Sequence, residues 1–225
     1  MQRLYAGSLM YVLVMGNKNY SSWSIRPWIA MKVAGIEFDE IIIPLDQPDT
    51  KSRILKHSPA GKVPALLDGS LVVWDSLAIL AYLCERHPEK GLLPKDLNAR
   101  AQARSACAEM HSGFSALRNE APMNIRRAPR SIELSQAAMA DVQRIEQLWA
   151  DSRQANKAAG PYLFGTFSVA DAMFAPVVNR LHTYKVPVAK ETADYMALIM
   201  QLPAWKLLER ESRDEPWTVP SDEVD

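Results

Sequence analysis

The first third of the chain alternates short apolar runs with segments of helical spacing. The run "MYVLVM" (10–15) is apolar throughout and is followed by the polar "GNKN", a pattern that predicts a buried strand. Ile25, Ile29 and Val33 then recur every four residues, as on one face of a helix, and Gly35 follows as a stop. We therefore predict a strand followed by a helix before residue 36.

The same alternation continues to residue 87. "FDEIIIPL" (38–45) predicts a second strand, and "DTKSRILKHS" (49–58) predicts a short helix. "PALL" (64–67) and "LVVW" (71–74) flank an Asp-Gly pair, which indicates a β-hairpin. "DSLAILAYLCERH" (75–87) begins with an acidic residue and ends with basic ones, as the helix dipole favours. The predicted order is βαβαββα, an α/β domain with a mixed sheet.

The pattern changes after residue 87. "PEKGLLPKDL" (88–97) contains proline, glycine and charge, which is typical of a linker. The later residues show helical spacing only, so we predict an α/β domain at 10–87, a linker at 88–98 and an all-helical domain at 99–225.

Three helices are predicted in the second half. "FSVADAMFAPVVNRL" has Ser168 as a possible N-cap, with Asp171 three residues later in the pattern of a capping box. The other two predicted helices have apolar faces formed by Ala103, Cys107, Met110, Phe114 and Leu117, and by Val142, Ile145 and Trp149.

Composition excludes several classes of function. The 225 residues include 26 basic and 26 acidic side chains, so the net charge gives no reason to expect nucleic-acid or anionic-membrane binding. No apolar run approaches the ~20 residues of a membrane span. Cys84 and Cys107 form no CxxC pair, which favours a reducing cytoplasm, and the four histidines lack metal-ligand spacing. Residues 1–17 do not resemble a secretory signal, and Met10 is an alternative start.

The stretch "NYSSWSIRPW" (19–28) places Ser21 and Ser22 at the first strand-to-helix junction. Free backbone N–H groups and the helix dipole favour an anion there, and a serine hydroxyl adds one donor that can be aimed. If the anion is a thiolate, such a donor lowers the pKa of the thiol. A simple helix cap is the alternative explanation.

Two further junctions carry polar groups. In "GKVPALL" (61–67), Pro64 stands at the mouth of a strand, where a cis Val63–Pro64 bond would expose backbone groups of Val63 to a peptide-like ligand. In "WDSLAI" (74–79), Asp75 and Ser76 open a helix and together could hold both ends of an amino-acid moiety. An ordinary loop proline and a helix cap remain the alternatives.

Taken in order, these three junctions resemble the thioredoxin-like glutathione-binding domain of cytosolic glutathione transferases, and the helical half with its "SVAD" segment resembles the second domain of that family. The resemblance implies a thioredoxin-like domain followed by an all-α domain, glutathione as co-substrate, a homodimer, and a role in detoxification. It also implies Ser21 as the catalytic hydroxyl. The glutathione-binding residues it implies are Ser22, Lys62, Val63, Pro64, Asp75 and Ser76.

"SSWSIRPWIA" is similar to the Ser-Ser-Cys-Ser-aromatic-Arg motif of the zeta class, which includes maleylacetoacetate isomerases. Two departures weaken an isomerase interpretation. Trp23 stands at the position of the zeta cysteine, and Thr183 stands where zeta isomerases carry an arginine for a substrate carboxylate; Arg180 lies three residues earlier. The missing cysteine at the Ser21 position also disfavours thiol transfer of the omega type.

Three functions stay open from the sequence. The first is conjugation of glutathione thiolate to a small, largely apolar electrophile; the second is a zeta-like cis–trans isomerisation; the third is glutathione binding without catalysis. Tyr20 competes with Ser21 as the activating hydroxyl. The expected walls of the second-substrate pocket are Trp23, Met110, His111 and Phe114.

Overall fold

A computed structural model describes residues 10–224 and shows a four-stranded mixed sheet in the first third of the chain. The strands are β1 (Tyr11–Met15), β2 (Phe38–Ile42), β3 (Ala65–Asp68) and β4 (Leu71–Trp74), in the spatial order β2-β1-β3-β4. Strand β1 pairs parallel with β2 and antiparallel with β3. The expectation about a secretory signal concerns residues 1–17, of which residues 1–9 lie outside the described part.

Three helices complete this region: α1 (Ser22–Ala34), α2 (Thr50–Leu55) and α3 (Ser76–Arg86). The predicted order βαβαββα is therefore confirmed. Helix α1 ends at Gly35, whose left-handed φ of 62° favours glycine. Strands β3 and β4 form the predicted antiparallel hairpin. Because β1 is buried along its whole length, the loop that follows it begins in the centre of the molecule.

The described residues after 96 form helices, apart from isolated bridges within 162–166. These helices are α4 (Leu97–Ser112), α5 (Ser115–Glu120), α6 (Gln136–Asn156), α7 (Val169–Thr183), α8 (Lys190–Met200) and α9 (Pro203–Asp214). No helix in residues 10–224 is long and apolar enough to cross a membrane.

The prediction of one continuous helix through residues 103–117 is wrong. The chain leaves α4 at Gly113, and Phe114 adopts a left-handed φ of 58° before α5 begins. A β-carbon at position 113 would lie 2.8 Å from the Glu109 carbonyl oxygen, so only glycine fits there without a shift. The apolar positions assigned to that helix are nevertheless buried in both segments.

Helix α7 is buried along nearly its whole length and packs against both α1 and α4. Its predicted capping box is confirmed, because Ser168 and Asp171 exchange side-chain and backbone bonds at its first turn. Val142, Ile145 and Trp149 are buried on α6, as their spacing predicted. The contact between α1 and α7 brings the first strand-to-helix junction against the helical half. The exact limits assigned to the domains and linker stay a prediction.

Candidate active site

A cleft of about 510 Å³ lies at the amino end of α1, where the sheet-bearing and helical halves meet. Of the residues assigned from the sequence to catalysis, glutathione binding or the substrate pocket, five line it: Ser21, Ser22, Trp23, Lys62 and Val63. The remaining walls come from Tyr20, Leu45, Ile54, Gly61, Arg118, Asn119, Pro122, Met123, Arg180 and Asp222.

Ser21 occupies the N-cap position of α1 but its side chain does not cap the helix. The hydroxyl instead donates to Ser24 Oγ at 2.8 Å, and the residue is 6% exposed. The helix-cap explanation is therefore wrong for this side chain. The amino end of a 13-residue helix and a hydroxyl on the cleft wall together suit a bound anion.

Ser22 is the first residue of α1, and its hydroxyl accepts a hydrogen bond from Arg180 Nη2 at 3.3 Å. Arg180 also donates to the carbonyl oxygens of Arg118 and Ala121. Burial, and then the neighbouring Arg118 charge, lower the pKa of Arg180 to about 10. Arg180 therefore stays protonated at neutral pH and fixes the first turn of α1 to the helical half.

Trp23 lies between two guanidinium groups. Its ring centroid is 4.1 Å from Cζ of Arg26 and 4.6 Å from Cζ of Arg118. Burial lowers the pKa of Arg26 to about 9, and its Nε and Nη1 find no hydrogen-bond acceptor in the described chain. In residues 10–224 none of Arg26, Arg118 and Arg180 forms a salt bridge within 4.0 Å. Arg118 and Arg180 therefore bring positive charge to the cleft wall, and the Asp222 carboxylate, which lines the same cleft, offsets part of it.

The Val63–Pro64 peptide bond is cis, which confirms the sequence prediction. Lys62 and Val63 line the same cleft as the serine pair, whereas Pro64 is buried and does not line it. Lys62 is exposed and Val63 is half-buried.

Asp75 caps α3, so the helix cap that the sequence offered as an alternative to ligand binding is present. Its carboxylate accepts from the Leu77 backbone N–H at 2.8 Å, and its Oδ2 lies 3.3 Å from His111 Nε2. Ser76 is fully buried, and its hydroxyl has no hydrogen-bond partner within the described residues. Neither residue lines the cleft itself. Asp75 is linked to the cleft wall through His111, whose ring meets that of Trp23 edge-on, with the ring centroids 5.1 Å apart.

The pocket expectation needs correction at three positions, the first of which is His111, which lies beside Trp23 but does not line the cleft. Met110 and Phe114 are 1% and 7% exposed and pack in the main hydrophobic core, so they do not line the cleft. Phe114 instead contacts Phe174, with ring centroids 6.4 Å apart. Met and Phe at helical spacing are more often core than pocket, and that rule applies here.

Tyr20 is engaged elsewhere. Its hydroxyl donates to Glu223 Oε1 and accepts from Arg126 Nη2 at 2.7 Å. Burial, reinforced by the Glu223 carboxylate, raises the pKa of the phenol. A phenol already bonded to a carboxylate is a poor donor to a second anion, so Tyr20 is a weaker candidate than Ser21.

The described residues offer no alternative nucleophile or metal centre. Burial raises the pKa of the Cys84 thiol to about 11 and that of Cys107 to about 12, so both stay protonated at neutral pH. No group of three or more His, Cys, Asp or Glu side chains in residues 10–224 is placed to hold a metal ion.

Comparison with known proteins adds the family. A family model described as glutathione S-transferase, N-terminal domain, matches residues 20–86, and one described as glutathione S-transferase, C-terminal domain, matches residues 125–209. Together the two models cover more than half of the chain.

Individual relatives agree with these matches. The chain is 40% identical over 102 residues to glutathione S-transferase Z1 of Arabidopsis thaliana, covering 43% of this chain and 46% of that protein. It is 37% identical over 98 residues to a probable maleylacetoacetate isomerase of Caenorhabditis elegans, covering 44% and 45%. The matched part thus spans about half the length of these curated relatives.

Solved structures support the same fold. A glutathione transferase homologue from Burkholderia, solved with bound glutathione, superposes with a TM-score of 0.67 at 22% identity, covering 91% of this chain and 98% of the other. The predicted combination of a thioredoxin-like domain and a helical domain is thereby confirmed. The chain belongs to the glutathione S-transferase family.

Proposed function

We propose that the protein is a glutathione transferase that activates the thiol of glutathione at Ser21. The observation that carries this proposal is the buried Ser21 hydroxyl at the amino end of α1, on the wall of a cleft that Lys62 and Val63 also line. Glutathione is the co-substrate. Its cysteinyl backbone would pair with Val63, which places the sulfur towards Ser21.

The γ-glutamyl end of glutathione would extend towards the start of α3. The unpartnered Ser76 hydroxyl and the helix amino end suit its carboxylate, and the Asp75 carboxylate suits its ammonium group. Ser22 and Lys62 complete the polar walls near the sulfur and the peptide. Pro64 contributes only by shaping the Val63 edge, since it is buried.

The reaction needs a thiolate that is held and aimed. The Ser21 hydroxyl and the α1 dipole stabilise the negative sulfur, which lowers the pKa of the thiol and keeps the nucleophile in place. The sulfur then attacks an electrophilic carbon in the space bounded by Trp23, Pro122 and Met123. His111 supports Trp23 from behind. Arg118 and Arg180 make this space more polar than the sequence suggested, so the electrophile combines an apolar body with an anionic group.

A zeta-like cis–trans isomerisation is the second candidate. Arg118 and Arg180, without carboxylate partners within 4.0 Å in the described chain, could hold a diketo acid although Thr183 replaces the usual arginine. The similarity to a probable maleylacetoacetate isomerase favours the same candidate. Binding without catalysis would show as glutathione affinity without turnover of any electrophile.

A homodimer and a cytoplasmic location are parts of the same proposal. Trp74, the last residue of β4, is 48% exposed. With Val72, Leu77, Ala78 and Ala81 it lines an apolar surface on the sheet-bearing half, of the kind that associating proteins cover.

The Ser21→Ala variant tests the thiol-activating role. It removes the aimed donor and leaves the helix N–H groups, so glutathione should bind within a factor of a few, while turnover should fall roughly 10- to 1000-fold. The pKa of the bound thiol, followed by thiolate absorbance against pH, should rise.

Two matched variants complete this experiment. Tyr20→Phe removes a hydroxyl that is bonded to Glu223 and should keep the wild-type thiol pKa. Ser22→Ala should have a smaller effect than Ser21→Ala. If Tyr20→Phe or Ser22→Ala abolishes thiolate formation while Ser21→Ala does not, the activating hydroxyl belongs to that residue instead.

A further inference from the structure

Ser24 lies one helical turn after Ser21, fully buried beneath the cleft floor. Its Oγ is 2.8 Å from Ser21 Oγ and accepts from the Gly16 backbone N–H at 3.1 Å. The Ser24 backbone N–H donates to the Ser21 carbonyl oxygen at 3.0 Å, so both ends of the pair are fixed. The Gly16 N–H, the Ser24 hydroxyl and the Ser21 hydroxyl thus form a short hydrogen-bonded chain, which ends at the proposed thiol-activating hydroxyl.

The chain is closely packed. A β-carbon at Gly16 would lie 2.9 Å from Ser21 Cβ and 2.9 Å from atoms of the Leu45 side chain, so no larger residue fits there without a shift. Glycine at position 16 therefore lets the end of β1 lie close against Ser21, with the Gly16 N–H within reach of Ser24. The 2.8 Å between the two hydroxyl oxygens suits a hydrogen bond in either direction.

We propose that Ser24 is a positioning residue for thiol activation, which passes the Gly16 N–H dipole to Ser21 through a relay of hydroxyls. This rests on the proposed function of Ser21. Without a ligand, Ser21 donates to Ser24. When a thiolate binds, the Ser21 hydroxyl rotates and donates its hydrogen bond to the sulfur. The Ser24 hydroxyl then donates to the Ser21 oxygen while still accepting from the Gly16 N–H.

The relay has two physical effects. When the Ser21 hydroxyl donates its hydrogen bond to the sulfur, Ser24 supplies the Ser21 oxygen with a donor. Each hydrogen bond in a chain also polarises the next, so a Ser21 hydroxyl that accepts from Ser24 is a stronger donor to sulfur. The expected result is a lower pKa of the bound thiol than Ser21 alone would produce.

A double-mutant cycle tests the relay in the full-length protein, with Ser21→Ala, Ser24→Ala and the double variant. The readouts are the pKa of bound glutathione, kcat and KM with a generic electrophile, and glutathione affinity by calorimetry. Ser24→Ala should raise the thiol pKa and lower kcat roughly 2- to 10-fold, the effect of one hydrogen bond, with affinity kept within about twofold. The double variant should match Ser21→Ala, because Ser24 acts only through Ser21.

Two controls separate this role from a structural one. Ser24→Thr keeps the hydroxyl and should restore the thiol pKa towards the wild-type value. Ser212→Ala removes another fully buried serine hydroxyl, on α9, and should leave the thiol pKa and kcat unchanged.

The possible failures are distinguishable. A wild-type thiol pKa and kcat in Ser24→Ala, together with losses in Ser21→Ala, would overturn the relay and leave the proposed function standing. Losses from Ser24→Ala that persist in the Ser21→Ala background would assign Ser24 to folding alone. If both single variants keep the wild-type thiol pKa and kcat, Ser21 is not the donor and both proposals fall.

Discussion

At the scale of single residues, Asp75 combines two tasks that the sequence presented as alternatives. It caps α3 through the Leu77 N–H, and its second carboxylate oxygen faces His111. Its φ of 75° is one that asparagine tolerates better than most residues. Substitution by asparagine therefore separates the charge of this side chain from its capping role.

We expect Asp75→Asn to keep the cap and the fold but to weaken glutathione binding. The ligand ammonium would lose its charged partner, and because Asp75 is 42% exposed the loss is limited to about 1–2 kcal/mol, or roughly 5- to 30-fold in affinity. Calorimetry measures the affinity, and thermal unfolding confirms that α3 is intact. Asp75→Ala should lower both glutathione affinity and stability, because it removes the charge and the cap together. Equal affinity of Asp75→Asn and the wild type for glutathione would remove Asp75 from the ligand site.

The residues of the cleft that the sequence predicted stand where one secondary-structure element gives way to the next. Ser21, Ser22 and Val63 stand at junctions between a strand and a helix, and such junctions are visible as breaks in apolar periodicity. Arg118 and Asp222 were missed because neither stands at a break in the apolar pattern. The packing of α7 and α9 against α1 brings the helical half to the serine pair, and that packing leaves no local pattern.

At the scale of elements, the amino end of α7 shows how a short sequence pattern becomes a buried junction. The Asp171 carboxylate accepts from the Leu163 N–H, the Ser168 N–H and hydroxyl, and the Tyr195 hydroxyl. Burial outweighs these bonds and raises the pKa of Asp171 to about 6. The ionised carboxyl is therefore less favourable in the folded state than in the unfolded chain.

This shift predicts a pH dependence of folding. A carboxyl whose folded-state pKa is raised contributes stability below its unfolded pKa, near 3.8, and loses that contribution as pH rises to about 6. Relative to Asp171→Asn, the wild-type free energy of unfolding should thus decrease by about 2–3 kcal/mol across that interval. Urea unfolding of both proteins at a series of pH values measures the difference between their free energies of unfolding. The carboxyl groups that both proteins contain titrate alike, so their effects cancel in this difference.

Asp194→Asn is the matched control, since Asp194 is exposed on α8 and bonds only to Lys190. Its unfolding free energy should follow the wild type across the same interval. A wild-type curve parallel to that of Asp171→Asn would contradict the buried-carboxyl argument.

The sequence placed most elements correctly and failed where two helices share one apolar face. The spacing of Ala103 to Leu117 is the same whether one helix or two carry it, because α4 and α5 bury the same side. The signal for the break was the glycine at position 113, and its conformation depends on contact with the Glu109 carbonyl rather than on local propensity.

At the scale of the whole molecule, the exposed surface of β4 and α3 supports the proposed homodimer. We expect sedimentation equilibrium at micromolar concentration to give about twice the chain mass of 25.2 kDa. Trp74→Glu should shift the protein towards the monomer, because burying an unpaired carboxylate in an apolar interface is costly. Leu55→Glu, at an equally exposed apolar position on α2, should not. A monomeric wild type would contradict the proposal.

The last described residues are attached to the first loop. The Glu215 carboxylate accepts from the backbone N–H groups of Lys18 and Asn19, and Arg126 donates to the carbonyl oxygens of Glu215 and Trp217. The Lys18 and Asn19 amides in the loop leading to Ser21 therefore find these partners only when residue 215 is in place. During synthesis on the ribosome, the sheet can form early, but the junction at Ser21 is completed only after residue 215 has emerged.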